Sequence, residues 1–469
     1  PWGMIWSMES INSEYSVAAW VKNCYLCFDA GFTEDSAYSV SLQRSKECLD
    51  MINSKHCELC YYSINTSHSF KVFFSRNCTS CTEVWFSQDC VGCTNCFGCT
   101  GLRNKSNYIF NEPYTKEAYK EKLKSMRLDT WTGIQSARKA AEAVWLKYPV
   151  KFQHSVQAKG CSGDYLFNVS RLRNCFFSDG AEDSAHSQSI IYSPIKDCMD
   201  VTSSGEAIEL CYETSDSGVN MAKAFFSFDV YVITNSQYSI NCSNANNLFG
   251  CVGIRKKDYC ILNKQYTKEE YNAMIPRIIE HMNKMPYVDA QGRIYKYGEF
   301  FPPEMSLFGY NITQGQEYFP MTKGEAERDG FRWREPDKKQ YTVTKTSQGL
   351  PDSIEEIGEK ILKEVIQCMH AEKNEHSEEC ESNCVTAFKI TPQELQFYRQ
   401  LNLPVPRLCF YCRHFDRILW RNKPALHKRQ CQCGGKTSQN GVYTNQARHF
   451  HKEDFCPHQF ETSYALDRP

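Results

Sequence analysis

Eleven cysteines between Cys24 and Cys99 stand at residue numbers divisible by three: Cys24, Cys27, Cys48, Cys57, Cys60, Cys78, Cys81, Cys90, Cys93, Cys96 and Cys99. Other residues in that phase are mostly small, among them Ser63, Thr66, Ser69, Val72, Ser75, Val84 and Ser87. A plain strand alternates in twos, so it does not explain the pattern. A period of three needs a chain that bends often and sends one residue inward from each short side. A narrow parallel β-solenoid does this, and its inward residues must be small because opposite walls are close. Its coils stack at about 4.8 Å, so equivalent positions form ladders. Residues 61–72, 73–84 and 85–96 are successive 12-residue repeats, consistent with a coil of 12 residues or of 24 with two similar halves.

The unit is duplicated. Residues 97–119 and 249–271 are identical at 13 of 23 positions, FGCTGLRNKSNYIFNEPYTKEAY against FGCVGIRKKDYCILNKQYTKEEY. Upstream, KECLD at 46–50 answers KDCMD at 196–200, and ELCY at 58–61 answers ELCY at 209–212. Each copy ends in Tyr-Thr-Lys-Glu and a helical pattern, roughly 116–147 and 268–284; Thr267 and Glu270 have capping-box spacing, while Thr115 has Ala118 in place of the Glu. The expected fold is mainly β: two β-helix-like solenoid lobes at 9–148 and 160–285, each closed by an α-helix, and a C-terminal zinc ribbon.

The densest thiol run, CVGCTNCFGC at 90–99, raises three readings: iron–sulfur cluster, zinc site or core. The second copy holds Cys242, Ala245, Leu248 and Cys251 at the equivalent positions. Ala and Leu cannot ligate a metal but can fill a core, so packing is favoured. The pairs Tyr61-Tyr62, Phe73-Phe74 and Trp85-Phe86 would stack as ladders, either to bind sugar rings or, as we favour, to be buried under another element.

A formal net charge of -1 over 469 residues gives no global pull toward nucleic acid or membrane, and no apolar run is long enough for a membrane span. In so long a chain, 26 cysteines, several at metal-ligand spacing, point to thiols in a reducing, cytoplasmic setting rather than to disulfides. The chain opens on Pro1 and reads as a fragment, leaving any targeting signal open.

Residues 286–350, rich in Gly, Pro and aromatics, read as an ordered connector; within them Asn311-Ile312-Thr313 is a glycosylation triplet with no meaning in a cytoplasmic protein. Ile354, Ile357, Ile361, Leu362, Val365 and Ile366 have helical spacing and predict one amphipathic helix within 351–377, with Cys368 packed on it. Residues 378–469 read as a truncated zinc ribbon. Cys380 and Cys384 form C-x3-C, Cys409 and Cys412 form C-x2-C, and two such knuckles suit one tetrahedral zinc. A second site could draw on Cys431, Cys433, His449, His451 and Cys456. Between the cysteine clusters, Arg413, Arg417, Arg421, Lys423, Lys428 and Arg429 with Trp420 form a basic, aromatic stretch able to contact nucleic acid, or simply a solvated face.

The pattern F-x-I-x-P-Q-E-L-x-F-Y followed by P-x-P-x-x-C-x-x-C-R resembles the zinc-ribbon domains of uncharacterised bacterial proteins, whose ligands would map onto Cys380, Cys384, Cys409 and Cys412. The repeats with F-G-C-x-G-[LI]-R-x-K and the connector F-G-Y-N…Q-E-Y-F-P resemble a larger bacterial family ending in that ribbon. In that family a further Cys pair follows the position of Pro469. The resemblance implies no reaction. The leading reading is a non-enzymatic zinc-binding scaffold that contacts a protein or nucleic acid through the ribbon. One alternative is a polysaccharide-acting β-helix enzyme using Glu34-Asp35 and Glu182-Asp183. The other is an iron–sulfur or thiol redox protein.

Overall fold

The computed structural model describes residues 10–13, 16–190, 194–335, 341–372, 383–431 and 457–465. The chain is mainly β and divides into two compact units. The first joins residues up to Val150 with the described residues between Pro336 and Arg421; the second joins Lys151–Glu335 with the described residues from Asn422 on. The expected single C-terminal domain is thus shared between units, parting at Arg421 and Asn422.

In the first unit nine strands from Val17–Lys22 to Ser106–Ile109 pair in parallel in chain order. From Phe28 on, the register is constant: Phe28 faces Val40, Val40 faces Ile52, Leu49 faces Tyr61, and Tyr61, Phe73, Trp85, Phe97 and Ile109 face one another in succession. Each residue therefore lies beside the one twelve further on. The backbone carries the period of three directly. Every third residue from Trp20 to Phe110 has φ between 45° and 69°, the left-handed corner, with extended residues between. Left-handed φ costs a non-glycine residue about 1–2 kcal/mol, so the inward residues must repay a corner every three residues.

The inward phase is the one read from the sequence. All eleven of its cysteines are buried, with Met51, Val72 and Val84 among them. Their chemistry goes beyond small size. The Ser75 hydroxyl donates to the Phe73 carbonyl at 2.8 Å and accepts from the Ser87 N–H at 3.0 Å. The Cys81 thiol donates to the carbonyls of Thr79 at 3.4 Å and Cys90 at 3.5 Å. Corners leave backbone groups that the strand ladder does not reach, and these must be paired when buried. The carbonyls that Cys81 and Ser75 reach already accept backbone N–H groups; what the inward side chains rescue is N–H groups, Ser87 through the Ser75 hydroxyl and Val72 through the Cys60 sulfur at 3.4 Å, whereas Val can only fill the interior.

One outward face of this block is aromatic and covered. Tyr61, Tyr62, Phe73, Phe74 and Phe86 are buried beneath Ile134, Ala137 and Ala141 of the Trp131–Trp145 helix and beneath Phe397, Tyr398, Phe410 and Trp420. Burial of the ladder is thus borne out. The expected helix over 116–147 is two, Lys116–Ser125 and Trp131–Trp145, broken around Arg127 at φ 51°.

The second block follows the same plan with interruptions. Gly163 faces Cys175, but Gln188 faces Thr202, and Tyr212 faces Phe225, so rungs lengthen before Phe228 faces Ile240 again. Extra residues sit at corners: Glu206 and Ala207, like Val219 and Asn220, are successive residues with positive φ. Its closing helix, Lys268–Lys284, carries the expected Thr267–Glu270 capping box and packs Met274 and Ile278 against Phe249 and Ile261.

The segment 353–370 is not a helix. It forms two 3-10 turns, Ile354–Glu356 and Glu359–Lys363, and the short strand Ile366–Gln367, paired antiparallel with Ala387–Phe388. Ile354, Ile357, Ile361 and Ile366 are buried all the same. Their spacing suits a three-residue turn as well as an α-helix. The glycosylation triplet is an internal clamp: the Asn311 amide is buried, donates to the Arg334 carbonyl at 2.8 Å and accepts from the Arg334 N–H at 2.9 Å.

Candidate metal centre

Four thiols converge in the first unit: Cys368, Cys384, Cys409 and Cys412, with all ligand atoms within 4.8 Å of one another. Among the described residues it is the one group of three or more metal-ligating side chains this close. Three of the expected ligands are here. Cys380 lies outside the described residues, and the fourth position belongs to Cys368, read from the sequence as a packed core residue. The reason is local. With no helix over 353–370, the Ile366–Gln367 strand carries Cys368 to the cluster, and the Cys368 N–H bonds the Thr386 carbonyl at 2.8 Å.

Cys409 occupies the N-cap position of the Phe410–Ile418 helix without a side-chain capping bond, and Cys412 lies in its first turn. The Cys368 and Cys412 sulfurs are 3.9 Å apart, and those of Cys384 and Cys409 are 3.8 Å apart. A tetrahedron with metal–sulfur bonds of about 2.3 Å has edges of about 3.8 Å. Backbone donors are already aimed at sulfur: Cys409 N–H to Cys368 at 3.3 Å and Thr386 N–H to Cys384 at 3.4 Å. His370 Nδ1 is 3.5 Å from the Cys412 sulfur. The positive end of the helix dipole adds to the field favouring thiolates.

Proton sharing within the cluster is uneven. Hydrogen bonding from Cys384, then from Cys409 and Cys412, pushes the Cys368 thiol far down. Bonding to Cys368 pushes Cys384 and Cys412 far up. Cys368 pushes the Cys409 thiol up, but bonding from Cys384 and Cys412 outweighs it, so Cys409 too is held down. Two thiols ionise more easily and two less, and a divalent cation among them would favour the thiolate of each.

The second cluster cannot be placed: Cys433, His449, His451 and Cys456 lie outside the described residues, and only Cys431 is inside them.

The basic stretch is corrected. Arg413 and Arg417 are 2% and 0% exposed and Arg421 is 7% exposed, so none offers a phosphate its guanidinium. Arg413 Nε and Arg417 Nη1 each lie 2.9 Å from a carboxylate oxygen of buried Asp50, and Arg413 Nη2 lies 3.5 Å from Glu394. Their guanidiniums stack over Tyr38 and Tyr62, each at 4.9 Å. Of the six, Lys423 and Lys428 are exposed and Arg429 partly so. Sequence alone gave no hint of Asp50, which lies far away in the chain.

In each carboxylate pair offered for catalysis the Asp sits at a corner and is engaged. Asp35 accepts from Asn23 at 2.8 Å. Asp183 is bound by the Arg171 guanidinium, which also pairs with Glu182 at 3.6 Å. The second unit contains a buried Ser, His and Asp not foreseen from sequence: His154 Nδ1 lies 3.2 Å from Asp164, and Ser463 donates to the other Asp164 oxygen. Both partners converge on the carboxylate, whereas a nucleophilic triad places His between Ser and Asp.

The thiols of residues 90–99 do not converge on one point; Cys93 lies beside Cys81, Cys90 and Cys96 in a ladder rather than a cage. None of the described cysteines is in a disulfide, and no helix among the described residues is long and apolar enough to cross a membrane. Comparison with known proteins finds no matching family model and no matching curated protein.

Proposed function

We propose that the chain is a zinc-binding scaffold: two parallel β-solenoid blocks, the first with a coil of twelve residues and the second with that coil lengthened in places, and a ribbon-like metal centre docked on the first. The observation that carries the metal reading is the four-thiol cluster with sulfur separations of 3.8 and 3.9 Å. Zinc suits it because four thiolates, three of them on buried cysteines, make a structural, redox-silent site. The resemblance to bacterial zinc-ribbon proteins supports the same metal, with Cys368 taking the place given to Cys380.

The partner surface falls to the solenoid faces. With Arg413, Arg417 and Arg421 buried, a protein partner is favoured over nucleic acid. One exposed face of the first block carries Trp20, Phe32, Arg44, His56 and His68, twelve residues apart; Trp20 stacks on Phe32 at 4.8 Å and His56 on His68 at 4.7 Å. These rings cover one another's faces and turn their edges outward, a geometry for protein contact rather than for stacking sugars or bases.

Elemental analysis with an absorption spectrum on anaerobically purified protein tests the reading. About one zinc per chain with no visible band, falling to none in Cys409→Ser, is the expected result; a second zinc would come from the cluster around Cys431. Iron with labile sulfide and a broad visible band would replace the scaffold by the redox reading. A partner complex that weakens steeply with salt would return the choice to nucleic acid.

A further inference from the structure

We infer that the metal centre acts as a latch on the first β block, holding in place the two guanidiniums that neutralise Asp50. The inference rests on the metal reading above.

Asp50 is fully buried at a left-handed corner, φ 57°, in the strand Leu49–Glu58. Both its oxygens face guanidiniums, Arg413 and Arg417, each at 2.9 Å. Both arginines stand on the Phe410–Ile418 helix, and Arg413 directly follows the ligand Cys412. One nine-residue helix therefore carries two metal ligands at its start and the counter-ions of a distant carboxylate on its inner side. The same helix closes the aromatic face: Phe410 stacks on Tyr38 at 5.6 Å, and Asp416 accepts from the Tyr62 hydroxyl at 2.7 Å and from Arg138 at 2.8 Å.

Nine residues are too few for a helix to persist alone in water. It is held at one end by the thiol cluster and along one side by the ion pairs. Without a cation no metal–sulfur bond ties Cys409 and Cys412, at the start of this helix, to Cys368 and Cys384, and the N-terminal anchor loosens. Any undocking then strips Asp50 of both partners inside an aromatic surrounding, where an unpaired charge is strongly disfavoured. Strand Leu49–Glu58 must then rearrange to bring the carboxylate to water. Metal occupancy is in this way linked to the order of a strand that contains none of the ligands.

Hydrogen exchange on the full chain tests this, with and without a zinc chelator. Three regions are read: the ligand-bearing residues 384–412, the strand Leu49–Glu58, and the strand Ile240–Phe249 of the other unit as control. The expected result is faster exchange in 384–412 and at least tenfold faster exchange in Leu49–Glu58, with the control unchanged. Loosening of 384–412 while Leu49–Glu58 keeps its protection overturns the latch and leaves the metal site standing. No metal in the purified protein and no response in 384–412 overturns the metal reading, and the latch with it. Asp50→Asn separates charge from packing. In this variant the chelator should still loosen 384–412 but accelerate Leu49–Glu58 less than threefold. An undiminished response would show that the ion pairs are not the link.

Discussion

The two β blocks share a plan and differ in discipline. In the first, every rung after Phe28 has twelve residues and the inward phase never changes. In the second, the inward residues run Leu166, Cys175, Ile195, Cys198, Ile208, Cys211, Met221, Val230 and Cys242, and their phase slips wherever a rung is long. The interiors differ accordingly: thiols and hydroxyls dominate the first, larger branched side chains the second. The lesson is that the corner is the tolerant element. An extra residue there adopts a second left-handed conformation, and the strands on either side keep their faces.

The sharpest way to break the comparison is by deletion. Removing Val84, inward and fully buried, should turn Trp85 into the core and shift every rung after it, abolishing cooperative folding of the first unit. Removing Asn220, the extra exposed corner residue, should restore a twelve-residue rung and cost at most about 2 kcal/mol. Circular dichroism melts of the two variants compare them; equal losses would refute corner tolerance.

Exchanging core residues is the next test. Cys96 and Leu248 occupy equivalent, fully buried places. Cys96→Leu should overpack the narrow first interior and cost about 1–3 kcal/mol, and Leu248→Cys should open a cavity at about 2–3 kcal/mol. Denaturant titration measures both. A neutral Cys96→Leu would mean the two interiors are equally roomy.

Charge gives a third contrast. Asp50 faces two arginines, whereas burial, then the neighbouring Asp216, pushes the Asp229 carboxyl up to about 6. A raised pKa means the fold prefers the neutral acid. Its contribution is complete below the unfolded value near 3.8 and is lost as pH rises through about 6. Asp229→Asn should therefore stabilise the protein at pH 7.5 by about 1 kcal/mol, allowing for solvent screening of this half-buried group, and leave it unchanged near pH 4. Melting temperatures at the two pH values decide it; a gain at pH 4 alone would reverse the sign.

The smallest effect concerns the corners. Val232 is β-branched, 39% exposed and held at φ 53°, a conformation Asn accepts more readily. Val232→Asn should gain about 0.5–1 kcal/mol, whereas Asn65→Val in the first block should lose more, because Asn65 also donates to Asn77 at 3.1 Å.

Much of this was legible. The cysteine phase shows the bending period, and the repeat offset shows the slips. Glu34 answers Glu182, Cys48 answers Cys198, Cys60 answers Cys211 and Ser75 answers Ser227, so the offset grows from 148 to 150, 151 and 152 as each long rung is passed. What could not be read depends on distant partners. Nothing near Arg413 or Arg417 marks them as counter-ions of Asp50. Cys368 has no second cysteine at knuckle spacing, so its role emerges only when a strand, not a helix, carries it to Cys412.

The constant twelve-residue register also bears on how the chain is built during synthesis. Each new rung finds its partner in the twelve residues that have just emerged, so loop closure stays short and the stack can lengthen from its first strand as it leaves the ribosome. The aromatic face, in contrast, must wait: Tyr38 binds Glu394, 356 residues later. The Trp131–Trp145 helix can cover part of that face early, but the part beneath Phe397, Tyr398, Phe410 and Trp420 stands open until the C-terminal residues appear, and a nascent first block is the species most in need of a chaperone.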